Sequence, residues 1–445
     1  MGVGVDISVA GNRYRGDREN PGTRPATACG HPSRPGHYHR GVTQLVTLAD
    51  VREAATSLSG IVRRTPLEPS RDPVLDGVHL KCENLQRAGS FKIRGAYMRV
   101  CGLTDDQRRH GVVAASAGNH AQGVALAAST LGIRSTVFMP ESAPLPKVAA
   151  TKGYGADVIL GGLTVDDALE SAHRFADETG AVLIHPFDHH DIVAGQGTIA
   201  LEILEQLPET ATIVTSVGGG GLIAGIAAAA KQLKPGIRII GVQAEGAASY
   251  PSSLAAGKPL RLDKMHTIAD GIAVGRPGDV PFAHVATLVD EIVTVTEEDI
   301  SRALLSLLER NKLVVEPAGA TAYAALLNYS VAYDEPAVAV LSGGNIDPLL
   351  LMRLIEHGLG ASGRFMRASL RCADRPGALA SVLRLVGRYG GNIVDVYHQR
   401  SDPRLSVGEV SVDLSIETRG SEHTTEIVAA LRDAGYFVSV EGPSI

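Results

Sequence analysis

The sequence predicts an α/β protein built on parallel sheets with helices on both faces, followed by a smaller α+β domain. Three observations carry the prediction. Short apolar strands alternate with helical stretches from Val78 to Leu341, the rhythm of βαβ units. Glycine is abundant, 50 residues of 445, and it gathers where strands hand over to helices. After Gly363 the rhythm changes to β-α-β-β-α-β, a unit that folds on its own sheet.

Length and charge narrow the function classes. At 445 residues the chain is too long for one ordinary domain, and 44% apolar with 20% charged residues suits a large core. A formal net charge of -6 gives no electrostatic reason to expect a nucleic-acid partner. The uncharged run Thr212 to Ala230 is interrupted by four glycines and is a poor membrane span, and no apolar stretch follows Met1 as a secretory signal requires. Cys29, Cys82, Cys101 and Cys372 are scattered, with no C-x-x-C and no metal-ligand spacing. They read as reduced thiols in a cytoplasmic protein without a metal site.

Residues 1–41 carry Asn20-Pro21-Gly22, Pro25, Pro32 and Pro35 with scattered arginines and few apolar residues. They read as a disordered or artefactual extension, with translation starting near Val42 as a further possibility. The folded chain then opens with a helix over Ala49–Ala55 capped by Asp50. Val78–Glu83 is a strand, and a helix runs from about Phe91 to Val100. Strands follow at Gly111–Ser116, Ser135–Met139, Asp157–Leu160 and Val182–Ile184, separated by helices at Ala121–Leu131, Lys147–Tyr154 and Asp166–Thr179. A helix over Thr198–Gln206 precedes the strand Thr212–Val217. The glycine run and a helix to Leu233 come next, then the strand Ile237–Gln243. Ala337–Leu341 is a late buried strand. In the tail, strands are expected at Arg364–Arg371, Asn392–Gln399, Val407–Ile416 and Phe437–Glu441, and helices at Ala378–Tyr389 and Glu422–Ala434.

Four motifs carry chemistry. In Ser90-Phe91-Lys92-Ile93-Arg94-Gly95-Ala96 a lysine sits between an aromatic and a β-branched residue. Such packing favours the neutral amine, a nucleophile towards carbonyls; alone, the pattern is more often that of a snorkelling lysine on a partly buried helix. Gly218-Gly219-Gly220-Gly221-Leu222 joins a strand to a helix, where backbone N–H groups and the helix N-terminus cradle a phosphate. The overlapping Gly219-x-Gly221-x-x-Ala224, with Glu245 ending the next strand, also matches a dinucleotide fingerprint, but leaves the other motifs without a task. Ser116-Ala117-Gly118-Asn119-His120 enters a helix whose first N–H groups suit a carboxylate. Ser342-Gly343-Gly344-Asn345 ends a buried strand with a hydroxyl beside two glycines.

In this order the four motifs resemble those of the fold-type II pyridoxal-phosphate enzymes, the threonine dehydratases (threonine ammonia-lyases) first, with serine dehydratases and serine racemases near them. The resemblance covers roughly Leu48 to Gly360 and extends through Asp188-His189, Ala194 to Thr198, Asp270 to Val274 and Glu316 to Ala320. It implies two sheet subdomains, the smaller at about 114–191 inserted into a catalytic domain of 42–363. It implies that Lys92 is the Schiff-base lysine, that Phe91 and Asn119 flank the cofactor ring, that Gly218, Gly219, Gly220, Gly221 and Leu222 bind the phosphate, and that Ser342 meets the ring nitrogen. The substrate would rest on Ser116, Ala117, Gly118, Asn119 and His120. The implied reaction is deamination of L-threonine to 2-oxobutanoate and ammonia, and of L-serine to pyruvate.

Residues 364–445 resemble an ACT regulatory domain with a ferredoxin-like fold. Pro376, Gly377, Ala378 and Leu379, with Asn392 and Ile393, stand at that family's amino-acid-binding loop and strand entry. The implied partners are an amino-acid effector, isoleucine or valine, and further copies of the chain in a dimer or tetramer. Two positions depart from relatives within this resemblance. Ala117 replaces the serine that racemases use as second proton carrier, and Pro251 stands where a second metal-binding acid would be. A related lyase on another β-substituted amino acid, and an inactive amino-acid sensor, are the competing readings.

Overall fold

The computed structural model describes residues 44–328, 331–400 and 405–441. The expected extension at residues 1–41, with Cys29, lies outside them.

Strands that are apolar on both faces belong inside a sheet. Thr212–Ser216 and Ala337–Val340 are buried at every position, and Arg238–Ala244 at all but its first. They form the middle of a six-stranded sheet ordered Leu67–Pro69, Val78–Lys81, Ala337–Val340, Thr212–Ser216, Arg238–Ala244, Glu291–Val295. Neighbours are parallel except the outer pair Leu67–Pro69 and Val78–Lys81. From Thr212–Ser216 the chain builds outward on one side and then returns to the other with Ala337–Val340. The connections therefore part at this point, leaving a crevice at the C-terminal ends of the two strands. Ser216 and Ser342 sit at its floor.

A second, four-stranded parallel sheet is ordered Asp157–Leu160, Ser135–Met139, Val112–Ala115, Val182–Leu183. The tail sheet is antiparallel, ordered Asn392–Gln399, Glu409–Glu417, Phe365–Ala373, Phe437–Glu441, and packs two helices, Ala378–Arg388 and Ser421–Asp433, on its own core of Met366, Leu370, Val382, Val412, Ile416 and Leu431.

Three corrections arise. The first helix, Leu48–Ser57, is capped by Thr47; Asp50 sits three residues on and reaches back to the Thr47 N–H in a capping box. The helix expected at Thr198 begins at His190. Gly195 and Gly197 look like breakers in sequence, but they permit contact between helices. A Cβ on Gly195 would stand 2.7 Å from the Arg94 carbonyl, and one on Gly197 2.9 Å from the Gly225 carbonyl. Finally, Cys82 and Cys372 are free, whereas Cys101 is disulfide-bonded and not the reduced thiol expected. The stretch between Pro251 and Pro336, for which the sequence suggested no elements, holds the helices Asp279–Leu288, Glu297–Ser306 and Pro317–Leu327 and a π-helical turn at Leu307–Asn311.

Beneath the lysine motif lies a buried ion cluster. Arg94 grips Glu83 through Nε and Nη2 at 2.9 and 2.8 Å and Glu202 through Nη1 at 2.7 Å. Lys81 donates to Glu202 at 2.6 Å, to Gln206 and to the Thr65 carbonyl, and the Thr65 hydroxyl donates to Glu83. The cluster ties the lysine helix to the sheet and to helix His190–Gln206. It borders a cavity of about 740 Å³ lined by Arg52, Leu58, Arg64, Leu201 and Glu205 among others, apart from the residues described next.

Candidate active site

Lys92 opens the helix Lys92–Cys101. Just before it, Ala88 and Gly89 both take left-handed conformations, φ 57° and 69°, which turn the chain sharply. A side chain on Gly89 would collide with the Asn345 amide. The turn is tied to the serine loop, since Phe91 N–H donates to the Ser342 carbonyl at 3.1 Å, Gly344 N–H to the Gly89 carbonyl at 2.9 Å, and Ser90 bridges to Gly343. Two motifs separated by about 250 residues in sequence thus share one backbone junction.

The Lys92 amine donates to the Pro186 carbonyl at 3.2 Å and lies 5.2 Å from the centre of the Phe91 ring. Burial lowers its pKa to about 8, against a smaller opposing pull from Glu316. Phe187, the next residue after Pro186, packs on the glycine run, where a Cβ on Gly219 would collide with its ring. One short segment therefore touches both the lysine and the loop.

The glycine loop turns at Gly220, φ 97°, and delivers helix Gly221–Leu233 with its N-terminus towards the crevice. Its carbonyls are engaged: Gly219 accepts from Gly278 N–H and from the Tyr250 hydroxyl, and Gly220 accepts from Ala224 N–H. Among the described residues no acceptor takes up the N–H groups of Gly219 to Leu222. A cradle of N–H donors at a helix N-terminus is what a phosphate needs.

Ser342 is 3% exposed and its hydroxyl accepts from the Ser216 hydroxyl at 3.1 Å, which leaves its own proton for a further partner. Asn119 is the first residue of helix Asn119–Thr130, and Ser116, Ala117 and Gly118 line the approach to it, with Gly118 N–H donating to the Ser116 hydroxyl. His120 follows Asn119 at the helix entry. It is helical and buried, with Nε2 committed to the Ile184 carbonyl, and burial holds its pKa down to about 3. The imidazole is buried, and it lies near enough to Lys92 for a charge on one to oppose a charge on the other.

The structure adds residues whose roles sequence reading missed. Glu316 is buried, receives the Asn119 amide at 2.5 Å, and has its pKa pushed up to about 7, first by burial and then by the charge of Asp270. Asn345 donates to the Asn119 carbonyl oxygen at 2.8 Å and to the Ala88 carbonyl at 2.7 Å. Lys147, on helix Leu145–Gly153 of the small sheet, pairs with Asp270 on the large-sheet side at 2.7 Å. The one signal in sequence was an acid followed by Pro-Ala-Gly in an otherwise apolar run at Glu316.

The residues proposed for an effector lie in the tail domain, on the turn and first residues of helix Ala378–Arg388 and at the start of strand Asn392–Gln399. Gly377, φ 85°, precedes helix Ala378–Arg388; Pro376 is exposed, while Ala378, Leu379 and Ile393 pack partly on the tail core. The Asn392 amide donates to Glu417 at 3.0 Å.

The groups fit a phosphorylated pyridine aldehyde: a desolvated amine, a cradle of N–H donors without acceptors, and a hydroxyl and an amide at the crevice floor. Comparison with known proteins points the same way. The family model "Pyridoxal-phosphate dependent enzyme" matches residues 58–343, and the ACT domain model matches 367–433. An L-threonine ammonia-lyase of Thermotoga maritima is 46% identical over 89% of this chain and 100% of the relative; one from Geobacter sulfurreducens is 46% identical over 88% and 98%. Among solved structures, maize serine racemase superposes with a TM-score of 0.67 at 38% identity, covering 70% of this chain and 97% of that one. The processed form of threonine deaminase isoform 2 from Solanum lycopersicum gives 0.66 at 36%, covering 71% and 96%.

Proposed function

The chain belongs to the pyridoxal-phosphate-dependent enzymes and carries an ACT domain, and from that premise we propose that it deaminates L-threonine to 2-oxobutanoate and ammonia. The observation that carries the reading is the junction of Lys92 with the glycine cradle through Pro186 and Phe187. The dinucleotide reading of the glycine run gives way to this family assignment.

When bound, pyridoxal phosphate supplies a carbonyl for the substrate amine and a ring that draws off the electrons left at the α-carbon. The protein does the rest. N–H groups of Gly218 to Leu222 would hold the phosphate. The Ser342 hydroxyl would serve the ring nitrogen and, unlike a carboxylate, would leave it unprotonated. Asn119 would donate an N–H to the ring 3-oxygen, and Phe91 would flank the ring. The helix entry Ser116 to His120 holds the substrate carboxylate through main-chain N–H groups, where the helix dipole favours an anion. Lys92, whose amine is readily neutral, takes the proton from the α-carbon. Ala117 brings no proton to the opposite face, so elimination outruns racemisation, and L-serine gives pyruvate.

We take residues 364–445 as a regulatory unit that binds a branched-chain amino acid and pairs with a second copy, in a cytoplasmic homo-oligomer serving isoleucine synthesis. The catalytic unit is then 42–363. The test is direct. Purified protein should absorb as a bound pyridoxal enzyme, lose that band to borohydride, and release 2-oxobutanoate from L-threonine. No band and no oxo acid would sink the proposal. D-serine forming from L-serine as fast as pyruvate would instead favour a racemase, the activity named for the maize neighbour.

A further inference from the structure

We propose that Glu316, together with Asn345, is a positioning residue that locks the Asn119 side-chain amide so that an N–H, and not its carbonyl oxygen, is offered to the ring 3-oxygen. This deepens the pyridoxal reading above and rests on it.

The argument is an accounting of donors and acceptors. A side-chain amide has two N–H donors and one oxygen, and nothing intrinsic decides which end faces a ligand. Here both ends are assigned. Asn345 Nδ2 donates to the Asn119 oxygen at 2.8 Å. Its orientation is itself fixed by a second donation, to the Ala88 carbonyl at 2.7 Å, in the turn that leads to Lys92. On the other side Asn119 Nδ2 donates to Glu316 Oε1 at 2.5 Å. One Asn119 N–H is left over. A flipped amide would set its oxygen against the Glu316 carboxyl oxygen and its N–H₂ against the Asn345 N–H₂, two repulsions replacing two hydrogen bonds.

Glu316 is itself held rigidly. It precedes helix Pro317–Leu327, its N–H donates to the Gly343 carbonyl at 3.0 Å, and its carbonyl accepts from Gly319 and Ala320. A Cβ on Gly343 would collide with its carboxyl. Its charged and titratable surroundings are Asp270 from the turn Asp270–Ile272, Lys147 from helix Leu145–Gly153 and Lys92 from the lysine helix. It is an acid placed to act through Asn119.

The test compares wild-type holoenzyme with Glu316→Leu, which removes the acceptor, and Glu316→Gln, which keeps a neutral one. The readout is the pH dependence of the bound cofactor's absorbance, which follows proton placement around the 3-oxygen. Loss of one hydrogen bond to a charged group predicts a shift of the midpoint by about one pH unit in Glu316→Leu. Glu316→Gln should recover at least half of that. Cofactor affinity should stay within about threefold, because the phosphate cradle is untouched, and kcat should fall roughly tenfold with little change in KM. If Glu316→Leu does not fold, Asn345→Ala releases the other end of the amide and should give a shift in the same direction. Wild-type protein that binds no cofactor overturns the pyridoxal reading. Wild-type protein that binds it, with Glu316→Leu or Asn345→Ala titrating like wild type, overturns this proposal alone.

Discussion

Two buried carboxylates, Glu83 and Glu316, behave in opposite ways. Burial alone would raise the pKa of Glu83, but the charge and two hydrogen bonds of Arg94, with the Thr65 hydroxyl, carry it below the usual carboxylate range. Glu316 receives one amide and faces the repulsion of Asp270, so burial wins and the acid is pushed up to about 7. The two lysines make a related pair. Burial lowers both, but Lys81 spends its ammonium on Glu202, Gln206 and the Thr65 carbonyl, whereas among the described residues the Pro186 carbonyl is the one hydrogen-bond acceptor of Lys92. The difference lies in partners, not in depth. A buried charge with a full set of partners is structural; one left short of partners is available for proton chemistry.

That contrast can be broken at its reactive side first. Lys92→Ala should cut 2-oxobutanoate formation by at least about 10³-fold, within the range for losing a general base, while the melting temperature holds or rises. A variant that is inactive because it is unfolded would undo the distinction. On the structural side, Arg94→Met strands Glu83 and Glu202 in the interior and should cost about 3–5 kcal/mol in urea unfolding of cofactor-free protein. A loss under about 1 kcal/mol would mean that the cluster contributes nothing net.

The sharpest comparison swaps the same atoms at the two acids. The Glu316 carboxyl is harder to ionise folded than unfolded, so its cost grows as pH rises from the ordinary value of 4.5 through about 7 and is fully present above that. Glu316→Gln should therefore stabilise cofactor-free protein at about pH 8, by on the order of 1–3 kcal/mol, and lose this advantage in acid. The Glu83 carboxyl is easier to ionise folded, so its contribution is present above 4.5 and lost as pH falls. Glu83→Gln should accordingly destabilise at about pH 8. Chemical unfolding across pH checks both signs; equal signs would refute the comparison. The smallest effect belongs to Lys147→Ala. The Asp270 side chain of that pair is 62% exposed, so the ion pair is worth about 0.2–1 kcal/mol, and KM for threonine should change less than about fivefold.

Much of this was legible in sequence because its parts are local. Lys92, the glycine run and Ser342 each announce themselves within a few neighbours, as a packed lysine, a strand-to-helix glycine turn and a strand-end hydroxyl. The alternation of strand and helix located the parallel sheets for the same reason. The role of Glu316 was not legible, because its partner Asn119 lies 197 residues away and the hydrogen bond exists only once two sheets meet. Pro186 and Phe187 were silent likewise, since a carbonyl and a phenyl ring carry no pattern. The start of helix His190–Gln206 was hidden because Gly195 and Gly197, unfavourable within an isolated helix, are required by the crossing of three helices. His120 is a reactive type whose surroundings, not its identity, decide its state.

The cradle at Gly219 to Leu222 is built wholly from peptide N–H groups and a helix end. Peptide dipoles carry no ionisable proton near neutrality, so the attraction of this corner for an anion does not follow pH through its own groups. Lys92 and Glu316 sit close by and gain or lose protons near neutrality. On the proposed reading, holding the ligand and moving its protons fall to groups with different acid–base behaviour, and the anchor would stay constant as protons pass.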